Sequence, residues 1–276
     1  MGKIWPENIK CAAIFTFDLD AETFWFSRSD QSYNEPSKLA EGSYGPNIGI
    51  PRILDLLDRT EIKATFFIPG WVIEKYKFTV KNIVNKGHEI GYHGYLHEKI
   101  KLISEERKRI EKTKMIMNNY LNIKPVGYRA PEAELTNKVI KLIKDQGFKY
   151  SSNFMDADAP YFHEFEDNKN LVELPTSWLY DDSSHFFFTL QEPSRRPIAS
   201  HKTVSEIWKA EFDGIYEEGG SLVFMLHPQI IGRVSRVKML ENLITYMKKK
   251  DGVLIATGDE VAEIYRNNNI NKNRVD

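Results

Sequence analysis

Gly87-His-Glu-Ile-Gly-Tyr-His-Gly-Tyr-Leu-His-Glu98 is a short, Gly-rich apolar run that ends in two histidines, His93 and His97, four residues apart. Two imidazoles at that spacing can close on one divalent ion. They leave room for a carboxylate and a water, the donor set of a catalytic rather than a structural zinc centre. A carboxylate source stands upstream in Phe17-Asp18-Leu19-Asp20. The spacing alone is weak, because histidines four apart also sit side by side on exposed helix faces. With only seven histidines in the chain and an apolar run directly before the pair, the ligand reading is preferred.

His88 to Tyr92 reads as a strand that delivers His93 at its end, and the chain on either side alternates strands with helices. Upstream, Cys11 to Phe17 reads as a buried strand and Asn47 to Leu57 as a helix opened near Pro51. Lys63 to Pro69 is a strand stopped by proline, and Val72 to Asn85 a helix capped at Gly87. Downstream, Ser104 is the cap residue of a helix reaching about Leu121, Val126 to Arg129 is a strand end, and Thr136 to Gln146 is a helix. Strands follow at Phe148 to Ser152 and Leu171 to Pro175, then a helix at Val204 to Glu217. Ser221 to His227 is a strand ending in histidine, and Val237 to Lys249 and Asp259 to Tyr265 are helices flanking the strand Gly252 to Ala256. About seven strands with intervening helices predict an α/β fold, a closed or nearly closed parallel barrel.

The chain has 276 residues, a formal net charge of −1 and no Pro/Gly/Ser-rich linker, so one large domain over residues 1–276 is expected. That charge balance leaves no footprint for nucleic acid. The cationic clusters, Lys99 to Lys114 and Lys248-Lys249-Lys250, read as solvated helix faces. No apolar run is long enough for a membrane span, and Met1 to Pro6 shows neither a secretory leader nor an anchor, so a cytoplasmic location is expected. The single cysteine, Cys11, lies in an apolar run and reads as a buried, inert thiol.

Two segments break the rhythm. Ala21 to Pro46 and Asn153 to Lys169 are long, aromatic and without clear period, and both are read as ordered walls of a substrate cleft. The unusual polar residues fall where strands run out, and in a parallel barrel those ends share the face on which active sites are built. Asp18 and Asp20 follow the first strand, His93 and His97 the third, Arg129 the fourth, and His227 ends a later one. Residues i and i+2 of an extended segment face the same way, so both carboxylates look into the mouth. One can ligate a metal while the other moves a proton, the division of labour that metal-assisted hydrolysis needs.

Thr16-Phe-Asp-Leu-Asp20, His93-Gly-Tyr-Leu-His97, Tyr128-Arg-Ala-Pro131 and Met225-Leu-His227 resemble, in order and spacing, the successive motifs of the polysaccharide deacetylases, the NodB-homology or carbohydrate esterase family 4 domain. The likeness spans roughly residues 10 to 265. It implies a distorted (β/α)7-type barrel and a metal-dependent amide hydrolase. By the same likeness Asp18 matches the general base, Asp20, His93 and His97 the metal ligands, His227 the general acid, and Arg129 the residue that orients and tunes the base. His88 looks structural. Trp178, Tyr44 and Pro131 are candidate substrate contacts.

The chain departs from the common pattern: Phe-Asp-Leu-Asp replaces Thr-Phe-Asp-Asp, Glu132 stands where an aromatic is common, and no standard Asp-x-x-Asp-Trp motif is evident. These departures, with Ser177-Trp178, Asp181-Asp182 and Tyr150 to Asp156, resemble a branch containing an atypical peptidoglycan deacetylase and cofactor-independent allantoinases and cyclic imidases. The implied cofactor is a divalent metal, with zinc expected. The implied partner is a small-molecule or glycan amide, with no nucleic acid and no membrane, and self-association is compatible with that branch. An N-deacetylase of amino sugars or of polysaccharide- or peptidoglycan-derived substrates is the leading reading, and a cyclic amide or imide hydrolase is its rival. A non-catalytic metal- or carbohydrate-binding relative is disfavoured, because both acid/base candidates, Asp18 and His227, are retained.

Overall fold

β1 (Cys11–Asp18) is a fully buried strand of one curled sheet in the computed structural model, which describes residues 4–165, 171–188 and 197–269. The other strands are β2 (Thr65–Ile68), β3 (Glu89–Tyr92), β4 (Gly127–Tyr128), β5 (Tyr150–Ser151), β6 (Tyr161–His163), β7 (Leu171–Glu173), β8 (Ser221–Leu226) and β9 (Val253–Ile255). Their order is β6-β7-β5-β4-β3-β2-β1-β8, with β9 beside the first part of β1. All pairs are parallel except β6 with β7. Between β7 and β8 the ladder gives way to isolated links. Thr176 Oγ1 donates to the Val223 carbonyl at 2.9 Å, and Asp181 forms a single parallel bridge with Met225. This is the expected distorted (β/α) barrel, with nine strands among the described residues rather than seven and one of them antiparallel.

Alternation along β1 sorts its side chains. Cys11, Ala13, Phe15 and Phe17 face the surrounding helices, where Phe15 stacks on Phe224 and Phe17 on Phe66 with ring centroids 4.9 and 5.0 Å apart. Burying each such ring contributes about 1.5–3 kcal/mol. Burial also pushes the Cys11 thiol up to about 11, as suits an inert cysteine. Ala12 and Ile14 instead pack with Phe67, Tyr150, Val172 and Val223 inside the barrel. Thr16 and Asp18 continue that inner row, which passes from apolar to polar side chains within one strand. Gly91 makes space for the filling: a Cβ there would stand 2.5 Å from Phe67 Cδ1.

Several local expectations are corrected. Ala21 to Pro46 is not irregular: it holds helical turns at Thr23–Phe26 and Asp30–Asn34, then a helix at Pro36–Tyr44. That helix continues through a π-helical turn at Gly45–Gly49 into Ile50–Thr60, so Pro46 and Pro51 sit where the regular ladder is already broken. Val72 to Asn85 is two helices that meet at Tyr76. The helix Ile103–Leu121 begins at Leu102 with no side-chain cap, so Ser104 lies inside it. Asn153 to Lys169 does not wall the mouth as far as residue 165. Asp158 O accepts from Ser221 N at 2.8 Å, drawing the segment to the start of β8 at the opposite end of the barrel. Residues 166–169 lie outside the described residues.

Gly49 lets the π-helical turn touch the chain just after β8, since a Cβ there would stand 2.2 Å from the Pro228 carbonyl. Gly49→Ala is therefore expected to destabilise the fold by about 1–3 kcal/mol through overpacking. A urea melt checks this, and an unchanged midpoint would mean that the contact opens freely.

Candidate active site

The strand ends bring Asp18, Asp20, His93, His97, Arg129 and His227 to one cavity of about 350 Å³. His93 follows β3, and its Nδ1 lies 3.0 Å from the Arg129 carbonyl. A carbonyl only accepts, so Nδ1 carries the proton and Nε2 presents its lone pair to the cavity. The four-residue spacing to His97 is closed by a tight turn, not by a helix face. Gly94 and His97 adopt φ of 78° and 59°, and the Glu98 carboxylate accepts from the Tyr95 and Leu96 amides at 3.2 and 2.7 Å. A left-handed histidine is strained, and such strain persists where the surroundings over-determine it. His97 Nδ1 sits 3.3 Å from Ser27 Oγ.

Asp20 is fully buried, and neither carboxylate oxygen has a hydrogen-bond partner. Its Oδ1 lies 3.3 Å from His93 Nε2 and 3.7 Å from His97 Nε2. Two ligands bonded at about 2.1 Å to one tetrahedral ion stand roughly 3.4 Å apart, so these three side chains fit a divalent ion. Burial opposes the Asp20 charge, but His97, His93 and His227 outweigh it and hold the carboxyl well below the usual range. Burial takes His97 down to about 4, into the neutral form that ligates metals.

Asp18 Oδ1 accepts from Arg129 Nη1 at 2.8 Å, and its Oδ2 is 4.0 Å from His93 Nε2. Arg129 is itself buried. It donates to Thr16 Oγ1 at 2.5 Å, the Ser152 carbonyl at 3.1 Å and Ser152 Oγ at 2.8 Å, and its guanidinium lies 4.3 Å from the Phe67 ring centroid. At the end of β8, His227 Nδ1 is 2.6 Å from Asp182 Oδ1, and its backbone N–H donates to Asp182 Oδ2 at 3.0 Å. Its Nε2 faces the cavity, 3.8 Å from Asp20 Oδ2. Burial works against a charged His227, yet Asp182 prevails and raises its pKa well above the ordinary value.

A model described as polysaccharide deacetylase matches residues 43–151. A solved structure from Mycobacterium smegmatis, assigned as a polysaccharide deacetylase, superposes with a TM-score of 0.91 at 34% identity, covering 95% of this chain and 92% of its own. The chain belongs to the polysaccharide deacetylase family. A Helicobacter pylori relative named peptidoglycan deacetylase is 29% identical over 92% of this chain and 96% of its own length. The structure named Puue allantoinase, at 21% identity and a TM-score of 0.81 over 96% and 93% of the two chains, shares the fold.

In this member of the family the candidate substrate contacts divide. Trp178 lines the cavity and stands half exposed at its rim. Pro131 is buried, its Cγ only 3.2 Å from where a Cβ on Gly94 would lie, so it shapes the histidine turn and is not among the lining residues. Tyr44 does not line the cavity. Its hydroxyl accepts from Arg52 at 2.6 Å and its ring lies under Arg233, because the helix Pro36–Tyr44 turns that side chain toward Gly232. His88 is buried and accepts from the Ala64 amide at 3.3 Å, a structural role. Sequence reading left His227 without a partner. The signal was Asp181-Asp182, where Asp181 caps the amide of Ser183 at 2.7 Å and frees Asp182 for the histidine.

Proposed function

We propose that the chain is a divalent-metal-dependent N-deacetylase that hydrolyses the acetamido group of an amino sugar from a polysaccharide or peptidoglycan. The observation that carries this is the buried Asp20 carboxylate, unpartnered by hydrogen bonds and facing two imidazoles, with a carboxylate–arginine pair on one side and a histidine–carboxylate pair on the other. Asp20, His93 and His97 would hold the ion, with zinc expected. An ion there supplies Lewis-acid polarisation of the amide carbonyl and of the attacking water. Asp18 takes the water's proton at Oδ2, the oxygen that Arg129 leaves free. As the C–N bond breaks, His227 Nε2 returns a proton to the leaving nitrogen, and acetate and the free amine depart. Asp182 keeps the imidazole aimed and favours its protonated form.

Since a protonated His227 is the reactive form and its pKa is raised, activity is present below that pKa and lost as pH rises through it. Asp182→Asn removes the main group that raises it. The alkaline limb of the kcat profile is expected to move to lower pH, and a limb that stays in place would separate Asp182 from proton delivery.

The function is tested by comparing acetate release from N-acetylated chito-oligomers with ring opening of allantoin and simple imides at identical metal loading. Acetate release is the expected result. Ring opening without acetate would move the chain to the cyclic amide hydrolases, and neither activity would point to a non-catalytic relative.

A further inference from the structure

Three loops at the mouth are stitched together by charge. Arg28 lies after β1, Lys99 after β3 and Glu132 after β4. Glu132 Oε1 is 3.3 Å from Arg28 Nη2, and its Oε2 is 2.6 Å from Lys99 Nζ, which also lies 3.7 Å from Glu134 Oε1. In the sheet, β2 and β3 lie between β1 and β4. The charge chain therefore passes over the side of the mouth from which His93 and His97 emerge.

Each pair alone would be a weak surface contact, but Arg28 and the central Glu132 are both braced. Arg28 Nη1 donates to the Phe24 carbonyl at 2.6 Å, and the guanidinium sits 3.6 Å from the centroid of the Phe24 ring, which is itself buried. Glu132 and Ala133 both lie in the left-handed region, at φ 58° and 55°. Two adjacent non-glycine residues hold that conformation only where the surroundings enforce it. Arg28, Glu132 and Glu134 line the same cavity as Asp18 and His227, and Trp178 occupies the rim on a segment after β7.

A polymer threading past a reaction centre needs a groove open on both sides. We infer that the Arg28–Glu132–Lys99 strap closes the β2–β3 side, so the site is a blind pocket that takes an N-acetylated sugar at a chain end, or a single amino sugar, and excludes interior residues of a polymer. This rests on the deacetylase reading and makes Arg28 and Glu132 its specificity-determining residues.

The test uses the metal-loaded full chain and N-acetylated chito-oligomers of one to six sugars, with mass spectrometry locating the sugar that has lost its acetyl group. The parent is expected to deacetylate only a terminal sugar, with kcat/KM flat beyond the shortest oligomers. Glu132→Gly suits the left-handed backbone and removes the carboxylate, and Glu132→Gln keeps its volume without the charge. In both, and in Arg28→Ala, interior acetyl loss should rise by about tenfold or more. Interior attack by the parent, or an unchanged position pattern in variants whose circular dichroism matches the parent, overturns the strap while leaving the deacetylase reading intact. No acetate from any oligomer overturns that reading, and this inference with it.

Discussion

Asp20→Ala is expected to lose stoichiometric metal and to bring acetate release to background, the largest single effect proposed for this chain. Disturbing the groups that merely orient metal ligands already costs 10- to 100-fold in affinity or activity, as a rough range. Removing a ligand, here the one anion in a set with two neutral imidazoles, should exceed about 100-fold. His97→Ala should follow it, since His97 holds its strained backbone while its Nε2 points at Asp20. Elemental analysis after dialysis reads the effect directly. Undiminished metal in both variants would reject the ligand set, whatever the activity.

Asp18→Asn should behave differently, keeping fold and metal while losing about 10²–10⁴-fold in turnover, the usual worth of a general base. The choice of asparagine matters. Asp18→Ala would leave Arg129 without its carboxylate in the interior, and breaking a buried ion pair typically costs about 3–5 kcal/mol, so a misfolded protein would imitate a catalytic defect. The amide oxygen of asparagine can still accept from Arg129 Nη1 but cannot take a proton from water. Parent-like kcat in a fully loaded Asp18→Asn protein would reduce Asp18 to a structural carboxylate.

Much of the convergence was legible because strand alternation and strand ends are local properties. The row Ala12, Ile14, Thr16, Asp18 and the end of β8 at His227 can be followed residue by residue, and they carry their chemistry to the same face. What escaped depends on distant partners. The helix Pro36–Tyr44 was hidden by prolines and glycines whose broken ladder is absorbed in a π-helical turn. The course of residues 153–165 is set by distant partners, the antiparallel pairing of β6 with β7 and the bond between Asp158 and Ser221, which no local pattern encodes. Tyr44 was placed in the cleft on its aromatic character, and its orientation is decided by Arg52 and Arg233. Asp182 acquires its role only when β8 brings His227 to it, 45 residues on in the chain.

Arg129 ties β4 both to its neighbour β5 and to β1, from which β2 and β3 separate it. From the end of β4 it reaches across the barrel interior to Thr16 and Asp18 on β1 and to Ser152 beyond β5. The Asp18 carboxylate is therefore bonded to a guanidinium that Thr16, Ser152 and the Phe67 ring hold in a packed interior, which resists its displacement. For the base proposed at Asp18, the reorganisation that such a group undergoes in water when charge shifts would be completed during folding, before any substrate arrives, and preorganisation of this kind lowers barriers without adding contacts. Hydrogen exchange at the ends of β1, β4 and β5 should accordingly be as slow as anywhere in the chain, even though these residues border solvent-accessible chemistry.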